Sequence, residues 1–242
     1  GGNNGRIVHA SSRSDLNYLC MSEEPLVILA DGEYGHITLA PNKTIIGKVH
    51  IGGGPGTSAR SFKPGSNVII RNFNIKGGDG VEISGKSHIW VDHCTFFDCG
   101  DEQLSMTDGA DRVSVTWCKF SDNEIKTMLV CSPGSKGSNP TKKYNLTIAH
   151  CFFDGTDQRN PRLGYGKGHM LNSYYKNCGN STKIGYGIHV WGGARATVER
   201  CYFVNTPDAA SSHLPNKNPP GHLFYIDNIR DSISKFAPAE TD

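Results

Sequence analysis

The sequence predicts an all-β protein, a right-handed single-stranded parallel β-helix with a short N-terminal capping helix. Its aliphatic and aromatic residues fall in many short β-like runs rather than in long stretches of helical period. A short phrase of strand-forming residues recurs along the chain in steps of 21, 24, 33, 22 and 28 residues. With 29 Gly and 12 Pro among 242 residues, the chain is rich in turns without being low in complexity.

Each copy of the phrase contains a short alternating run, a polar or aromatic pair and one residue at a fixed place, here named the slot. The slot residues of the six copies are Phe73, Cys94, Cys118, Cys151, Ser173 and Cys201. One copy cannot bury its apolar face alone, so the copies must stack as coils of a solenoid. We therefore expect the slot residues to lie above one another inside the coil, about 4.8 Å apart. The unequal steps indicate loops inserted between coils.

The ends of the solenoid need caps, because an open coil leaves an apolar surface uncovered. Residues 1–25 are predicted as the N-terminal cap, with a helix over residues 12–21 that starts at Ser or Asp and buries Leu16, Leu19 and Cys20. The first strands are predicted at residues 26–29 and 44–47. After Phe203 the repeat fades, and residues 206–242 are interpreted as a C-terminal loop that closes the helix. The whole chain, residues 1–242, is interpreted as one domain.

Charge and cysteine content restrict the partners and the compartment. The net charge of +2 is too small to indicate nucleic-acid binding, and no apolar run is long enough for a membrane span. Eight cysteines and three Asn-x-Ser/Thr sequons favour a secreted, extracellular protein with one or two disulfide bonds. The glycine-rich start is interpreted as a mature or trimmed terminus. Four cysteines in one interior column indicate core packing rather than zinc, since no Cys-x-x-Cys pair occurs. We expect a monomer.

Several ordered motifs are more specific than the repeat. They include the phrases at residues 42–47 and 66–72, and the run from Asp79-Gly80-Val81-Glu82 to Trp90-Val91-Asp92-His93. A fourth motif is Gln158-Arg159-Asn160-Pro161-Arg162-Leu163-Gly164, followed by Gly166-x-x-His169-x-x-Asn172. Together they resemble the signature of the pectate lyase family of polysaccharide lyases. The resemblance runs from residue 1 to about residue 175 and onward, and it also implies a parallel β-helix.

The resemblance implies a secreted lyase that cleaves pectate, an α-1,4-polygalacturonate, by calcium-dependent β-elimination. The proton on C5 of a uronate is only weakly acidic, and its removal adds negative charge beside a carboxylate. Ca²⁺ and nearby cations stabilise that charge. A base takes the proton, and the glycosidic bond at C4 breaks to leave an unsaturated sugar.

The family roles transfer residue by residue. Arg159 matches the family residue that acts as the catalytic base. The alternative role for Arg159 is to bind a substrate carboxylate without taking a proton. Lys126 matches a substrate-binding lysine. Arg162 is a candidate substrate anchor or a structural ion-pair partner. Asp79 and Asp101 match calcium ligands, although Asp79 also suits a simple turn. Glu102 and Asp92 are lesser candidates.

The chain departs from the family pattern at three places. Ser105 stands where a further carboxylate ligand is usual, so it is only a secondary metal candidate. Gly164 stands where a second substrate-binding arginine is usual, and Lys167 is a candidate to replace that cation. The spacing from Phe120 to Lys126 is one residue longer than in the pattern. Weaker calcium binding and weaker uronate binding are expected.

Three alternatives remain open at this stage. One is a calcium-independent pectin lyase acting on methyl-esterified substrate. Another is a catalytically weak, lyase-like carbohydrate-binding protein. The last is a structural or adhesive solenoid, which the fold alone would permit.

Overall fold

The computed structural model describes residues 1–2, 4–49, 56–121, 126–131, 144–180, 185–212 and 219–236. It confirms the predicted fold, since every sheet is built from parallel strands that lie in successive coils. The coils have three faces, and the crossovers between parallel strands follow the right-handed rule. Among the residues described, no helix combines the length and apolar character that a membrane crossing requires.

The first face is a ten-stranded sheet. Its strands, in stacking order, are β1 (Arg6–Ala10), β2 (Leu26–Ala30), β4 (Lys43–Gly47), β6 (Val68–Arg71), β8 (Ser87–Asp92), β11 (Asp111–Thr116), β14 (Asn145–Ala149), β17 (Lys167–Leu171), β20 (Arg195–Glu199) and β23 (His222–Ile226). Alternate residues of these strands are buried, as in β2 and β4, so one side of the sheet forms the core wall.

The second and third faces are joined through the long strand β7 (Asn74–Ser84). The second face stacks β9 (Thr95–Phe96), β12 (Lys119–Ser121), β15 (Phe152–Asp154), β18 (Tyr174–Lys176), β21 (Tyr202–Val204) and β24 (Ile229–Arg230). The third face stacks β3 (Glu33–Leu39), β5 (Ser58–Pro64), the later half of β7, β10 (Leu104–Thr107), β13 (Met128–Val130), β16 (Arg162–Gly164), β19 (Ile188–Trp191), β22 (Asp208–Ser211) and β25 (Lys235–Phe236).

The capping helix α1 (Arg13–Met21) lies at the predicted place. The Ser12 hydroxyl accepts a hydrogen bond from Asp15 N at 3.1 Å, which satisfies one amide at the helix start. Leu16 and Cys20 are buried against the first coil, as expected, whereas Leu19 on the same helix face is only partly buried. The structure adds a strand before this helix, because β1 pairs in parallel with β2. The cap region therefore already contributes to the first face.

The slot residues form the predicted interior column. All six are buried, and each coil is hydrogen-bonded to the next at this point, as where Lys119 N donates to Cys94 O at 2.9 Å. All eight cysteines are free, so the expected disulfide bonds are not found. In-register parallel strands hold neighbouring side chains about 4.8 Å apart, beyond the roughly 3.8 Å between the Cβ atoms of a disulfide. The thiols donate to carbonyls instead, as Cys118 does to Thr116 O at 3.3 Å.

A ladder of aromatic rings runs through the core next to the slot column. The rings stack face to face at centroid distances of 4.7, 4.9, 4.7 and 4.7 Å in the order Phe96, Phe120, Phe153, Tyr175 and Phe203. Register pairing along the second face places them one per coil. This ladder links five coils through apolar contact and is a major part of the core.

Tyr175 is the polar member of this ladder, and its hydroxyl has no hydrogen-bond partner among the residues described. We expect Tyr175→Phe to raise the free energy of unfolding by about 1 kcal/mol, because it removes a buried polar group that is not satisfied. Urea unfolding followed by circular dichroism measures this change. The matched control, Phe153→Tyr, introduces a second such hydroxyl and should lower stability; a lower stability for Tyr175→Phe would contradict the prediction.

The interpretation of residues 206–242 as a loop is wrong for the described part of that segment. It contains β22, β23, β24 and β25, which continue all three faces of the solenoid. These strands are short, and a stretch rich in proline and asparagine between β22 and β23 interrupts the apolar alternation that marks earlier coils. The buried residues Ala209, Ala210 and Leu223 nevertheless extend the core into this region.

Candidate active site

The turns that lead into the strands of the third face hold the candidate residues. Asp79 lies in β7, Asp101 and Glu102 precede β10, and Lys126 precedes β13. Backbone hydrogen bonds join these turns from coil to coil, with Gly100 N donating to Gly78 O at 2.9 Å and Leu104 N to Thr127 O at 3.0 Å. The next coil is joined by Met128 N, which donates to Arg159 O at 2.6 Å. Four successive coils therefore place the predicted residues side by side.

The first ion pair of the site joins Lys126 and Asp101. Their Nζ and Oδ1 atoms are 2.5 Å apart, and both side chains are partly exposed. Burial acts to raise the pKa of Asp101, but hydrogen bonds from Lys126 and Glu102 and the nearby positive charges outweigh it and lower the pKa below its ordinary value. Asp101 is therefore ionised at neutral pH and available to a cation.

The second ion pair joins Arg159 Nη1 and Glu102 Oε1, and it is more deeply placed. The two side chains are 16% and 12% exposed. Burial raises the pKa of Glu102, with the Asp101 carboxylate adding to the rise and the Arg159 guanidinium opposing it. Two carboxylates of one turn thus pair with two cations of the next two coils, so the charges of these four groups balance.

Arg162 and Tyr186 complete the cationic side of the site. Burial lowers the pKa of Arg162, and the like charge of Arg159 acts in the same direction while Tyr186 opposes it. Tyr186 is buried and accepts a hydrogen bond from Arg159; burial raises its pKa, and the two guanidinium groups limit the rise. Tyr186 could not be predicted from the sequence, because a tyrosine between two glycines outside any repeated phrase has no recognisable pattern.

The acidic residues have the donor chemistry that Ca²⁺ prefers. A Cβ atom placed on Gly100 would lie 3.7 Å from Asp79 Oδ1, so the exposed Asp79 carboxylate borders the turn that carries Asp101 and Glu102. Within the described ranges, no three or more His, Cys, Asp or Glu side chains gather around one point. Since Ca²⁺ needs about six to eight oxygen ligands, these carboxylates fit an open site that water and a bound carboxylate complete.

The remaining sequence candidates are placed differently from one another. Ser105 shares a register row with Leu129 and Arg162 on the third face, with Leu129 between the other two. Lys167 lies in β17 on the first face, so the idea that it replaces a missing cation of the site is wrong. Asp92 is buried in an ion pair with Arg71 at 3.0 Å and accepts from Thr116 Oγ1 at 2.6 Å, which is a structural role.

The missing side chain at Gly164 has a physical cause. A Cβ atom there would lie 2.5 Å from the indole carbons of Trp191, its register partner on β19. Trp191 fills the space, and no residue larger than glycine fits at position 164 without moving it. The sequence motif revealed the glycine but not the tryptophan, which lies far along the chain.

Relatives of this chain are pectate lyases. The family model described as pectate lyase matches residues 33–220. The pectate trisaccharide-lyase of Thermotoga maritima is 29% identical over 197 residues, which cover 72% of this chain and 52% of that protein. Probable pectate lyase A of Neosartorya fischeri is 32% identical over 162 residues, 62% of this chain and 48% of that protein. The chain thus spans about half the length of these two relatives.

Solved structures share the fold at low identity. A pectate lyase from a Bacillus species in complex with trigalacturonate has a TM-score of 0.80 and 21% identity, covering 100% of this chain and 87% of that one. Pectate lyase C from Erwinia chrysanthemi, solved with Ca²⁺, has a TM-score of 0.75 and 18% identity, covering 100% and 82%. The fold is common to all of them, and the family model extends over most of the sequence. The chain belongs to the pectate lyase family.

Proposed function

We propose that this protein is a secreted pectate lyase that cleaves α-1,4-polygalacturonate by calcium-assisted β-elimination and releases unsaturated oligogalacturonates. The observation that carries the proposal is the row of three cations, Lys126, Arg159 and Arg162, beside Asp101 and Glu102 on one face of the solenoid. Such a row suits a polymer that bears one carboxylate per sugar. Relatives named for pectate cleavage support the same substrate class.

In this mechanism Lys126 and Arg162 hold uronate carboxylates and so fix the sugar ring against the strand edges. Arg162 suits bidentate contact through its planar guanidinium, whereas Lys126 acts as a point charge. Ca²⁺ held by Asp79 and Asp101, with Glu102 beside them, would supply positive charge next to the uronate carboxylate and make the C5 proton more acidic. The same carboxylates keep Lys126 and Arg159 in place before substrate arrives.

Arg159 carries the proton transfer in this proposal. In its neutral guanidine form, Arg159 takes the proton from C5 at Nη1, the C5–H electron pair forms the C4–C5 double bond, and the C4–O bond breaks; the guanidinium formed in this way then returns its proton to solvent. The leaving glycosidic oxygen receives a proton from water. Since Nη1 donates to Glu102 in the substrate-free protein, that pair must open before the neutral guanidine can accept the C5 proton. Tyr186, hydrogen-bonded to Arg159, orients the guanidinium during this change.

The direct test is incubation with polygalacturonate and Ca²⁺ while the ultraviolet absorbance of the new double bond is followed. We expect absorbance to rise with Ca²⁺, to stop in excess chelator and to be slower on highly methyl-esterified pectin. Full activity in chelator on the esterified substrate would identify a pectin lyase instead. Binding of oligogalacturonate without any absorbance change would identify a carbohydrate-binding protein. Size-exclusion chromatography tests the expected monomer.

Asp101→Asn should weaken Ca²⁺ binding at least about tenfold, because a ligand loses its charge. Isothermal titration calorimetry with Ca²⁺ alone measures this without reference to turnover. The matched control is Asp154→Asn, whose carboxylate pairs with Lys119 on the second face, a different face of the solenoid from the candidate site. Equal Ca²⁺ affinity of Asp101→Asn and the control would remove Asp101 from the metal site.

A further inference from the structure

Trp191 and Gly164 form a close pair at the edge of the site. They are register partners on β19 and β16, and the glycine backbone lies against the indole ring. The Tyr165 ring also contacts the indole, edge to face, at a centroid distance of 4.9 Å and an interplanar angle of 66°. With 3% of its surface exposed, Trp191 is fixed between these neighbours.

The face of this fixed ring carries the Arg162 guanidinium. The Arg162 Cζ atom lies 5.5 Å from the Trp191 ring centroid, within the distance of a cation–π contact. Within the described part of the chain, Arg162 has no carboxylate at ion-pair distance, and its buried Nε has no hydrogen-bond partner. The indole is therefore the contact that holds this cation near the like charge of Arg159.

An aromatic ring face and a carboxylate hold a guanidinium through different parts of the group. An ion pair occupies the N–H groups in the guanidinium plane, as Glu102 does for Arg159. Contact with a π face leaves those in-plane donors directed outward, where a planar carboxylate can accept two of them. The arrangement combines a fixed position with in-plane donors that are given no acceptor among the described residues.

We propose that Trp191 is the positioning residue that orients Arg162 to bind a uronate carboxylate of the substrate. The role of Arg162 rests on the proposed function above. Gly164 is a necessary part of the arrangement, because a side chain at that position would displace the indole from beneath Arg162.

A double-mutant cycle tests this coupling. The Trp191→Leu variant removes the ring face, and the Trp191→Phe variant keeps an aromatic face. Each variant is made in the wild-type background and in the Arg162→Ala background. The readouts are KM and kcat on polygalacturonate, and Kd for trigalacturonate by calorimetry. We expect Trp191→Leu to raise KM and Kd about 3- to 30-fold with kcat nearly unchanged, and Trp191→Phe to retain most of the affinity. In the Arg162→Ala background, Trp191→Leu should have almost no further effect.

A second measurement reads the contact without substrate. The ring current of Trp191 should shift the Arg162 side-chain NMR signals upfield, and Trp191→Leu should abolish the shift. Equal losses of affinity in both backgrounds, or no ring-current shift, would overturn the positioning role. If Trp191→Leu does not fold, the Trp191→Phe cycle and the wild-type spectrum decide the question. If wild type forms no double bonds, the proposed function fails, while the spectrum still decides whether Trp191 holds Arg162.

Discussion

Arg159→Lys should lower the rate of double-bond formation on polygalacturonate by about 10²–10⁴-fold, the usual range for loss of a positioned acid–base group. Lysine keeps the charge but not the planar guanidinium whose Nη1 reaches Glu102, two coils away. Its shorter, tetrahedral head cannot hold both Glu102 and Tyr186 in the same geometry. Initial rates of absorbance change, at saturating Ca²⁺ and over a range of alkaline pH, measure the loss.

The control for this variant is Arg112→Lys, since Arg112 is exposed on the first face and pairs with Asp111 at 3.7 Å. It should leave the rate unchanged. Trigalacturonate affinity should fall much less than turnover in Arg159→Lys, because the interaction lost belongs mainly to the transition state. A variant that loses affinity in full while kcat persists would make Arg159 a binding residue, the alternative role considered from the sequence.

Phe120→Ala should lower the free energy of unfolding by about 3–5 kcal/mol, the usual range for deleting a buried aromatic ring. Phe120 is fully buried between Phe96 and Phe153 at centroid distances of 4.7 and 4.9 Å. The cavity would interrupt the ladder at a middle coil, where neighbouring strands cannot close over it. For a chain of this size the melting temperature should fall by roughly 6–20 °C, as calorimetry would measure.

The matched control for the core lies on the same face but points outward. Tyr202 stacks on Tyr174 at 5.2 Å and is 45% exposed. Tyr202→Ala should therefore cost less than about 1.5 kcal/mol, since the ring leaves water only in part. Similar losses for the two variants would mean that outward stacking and core packing contribute equally, contrary to the burial pattern.

The solenoid could be predicted because every coil must bury an apolar face against the next coil. Cys94, Cys118 and Cys151 occupy equivalent interior places, so their flanking strands had to bury the same face in the same register. Beyond Phe203 the proline- and asparagine-rich stretch between β22 and β23 interrupts the repeat, and the two-residue strand β24 has no periodicity to recognise. β1 was missed for a related reason, since its burial does not alternate and only Ala10 is buried.

The candidate site was predicted from motif resemblance rather than from physical chemistry. Arg159 and Asp101 are distant in sequence, and only the coil geometry makes them neighbours. The same motif contained no information on the pairing of Arg159 with Glu102, because that contact depends on how two turns face each other. The role of Trp191 could not be predicted either, because Trp191 contacts Gly164 between strands of different coils.

The longest step between slots, 33 residues from Cys118 to Cys151, leaves β12 and β15 paired residue for residue. The length of a connection is therefore independent of the alignment of the coils that it joins. Segments between coils can be lengthened, shortened or exchanged, and the strand edges beneath them keep their positions. A protein engineer who wishes to alter the surroundings of the candidate site can graft new connections between the coils without redesigning the paired strands.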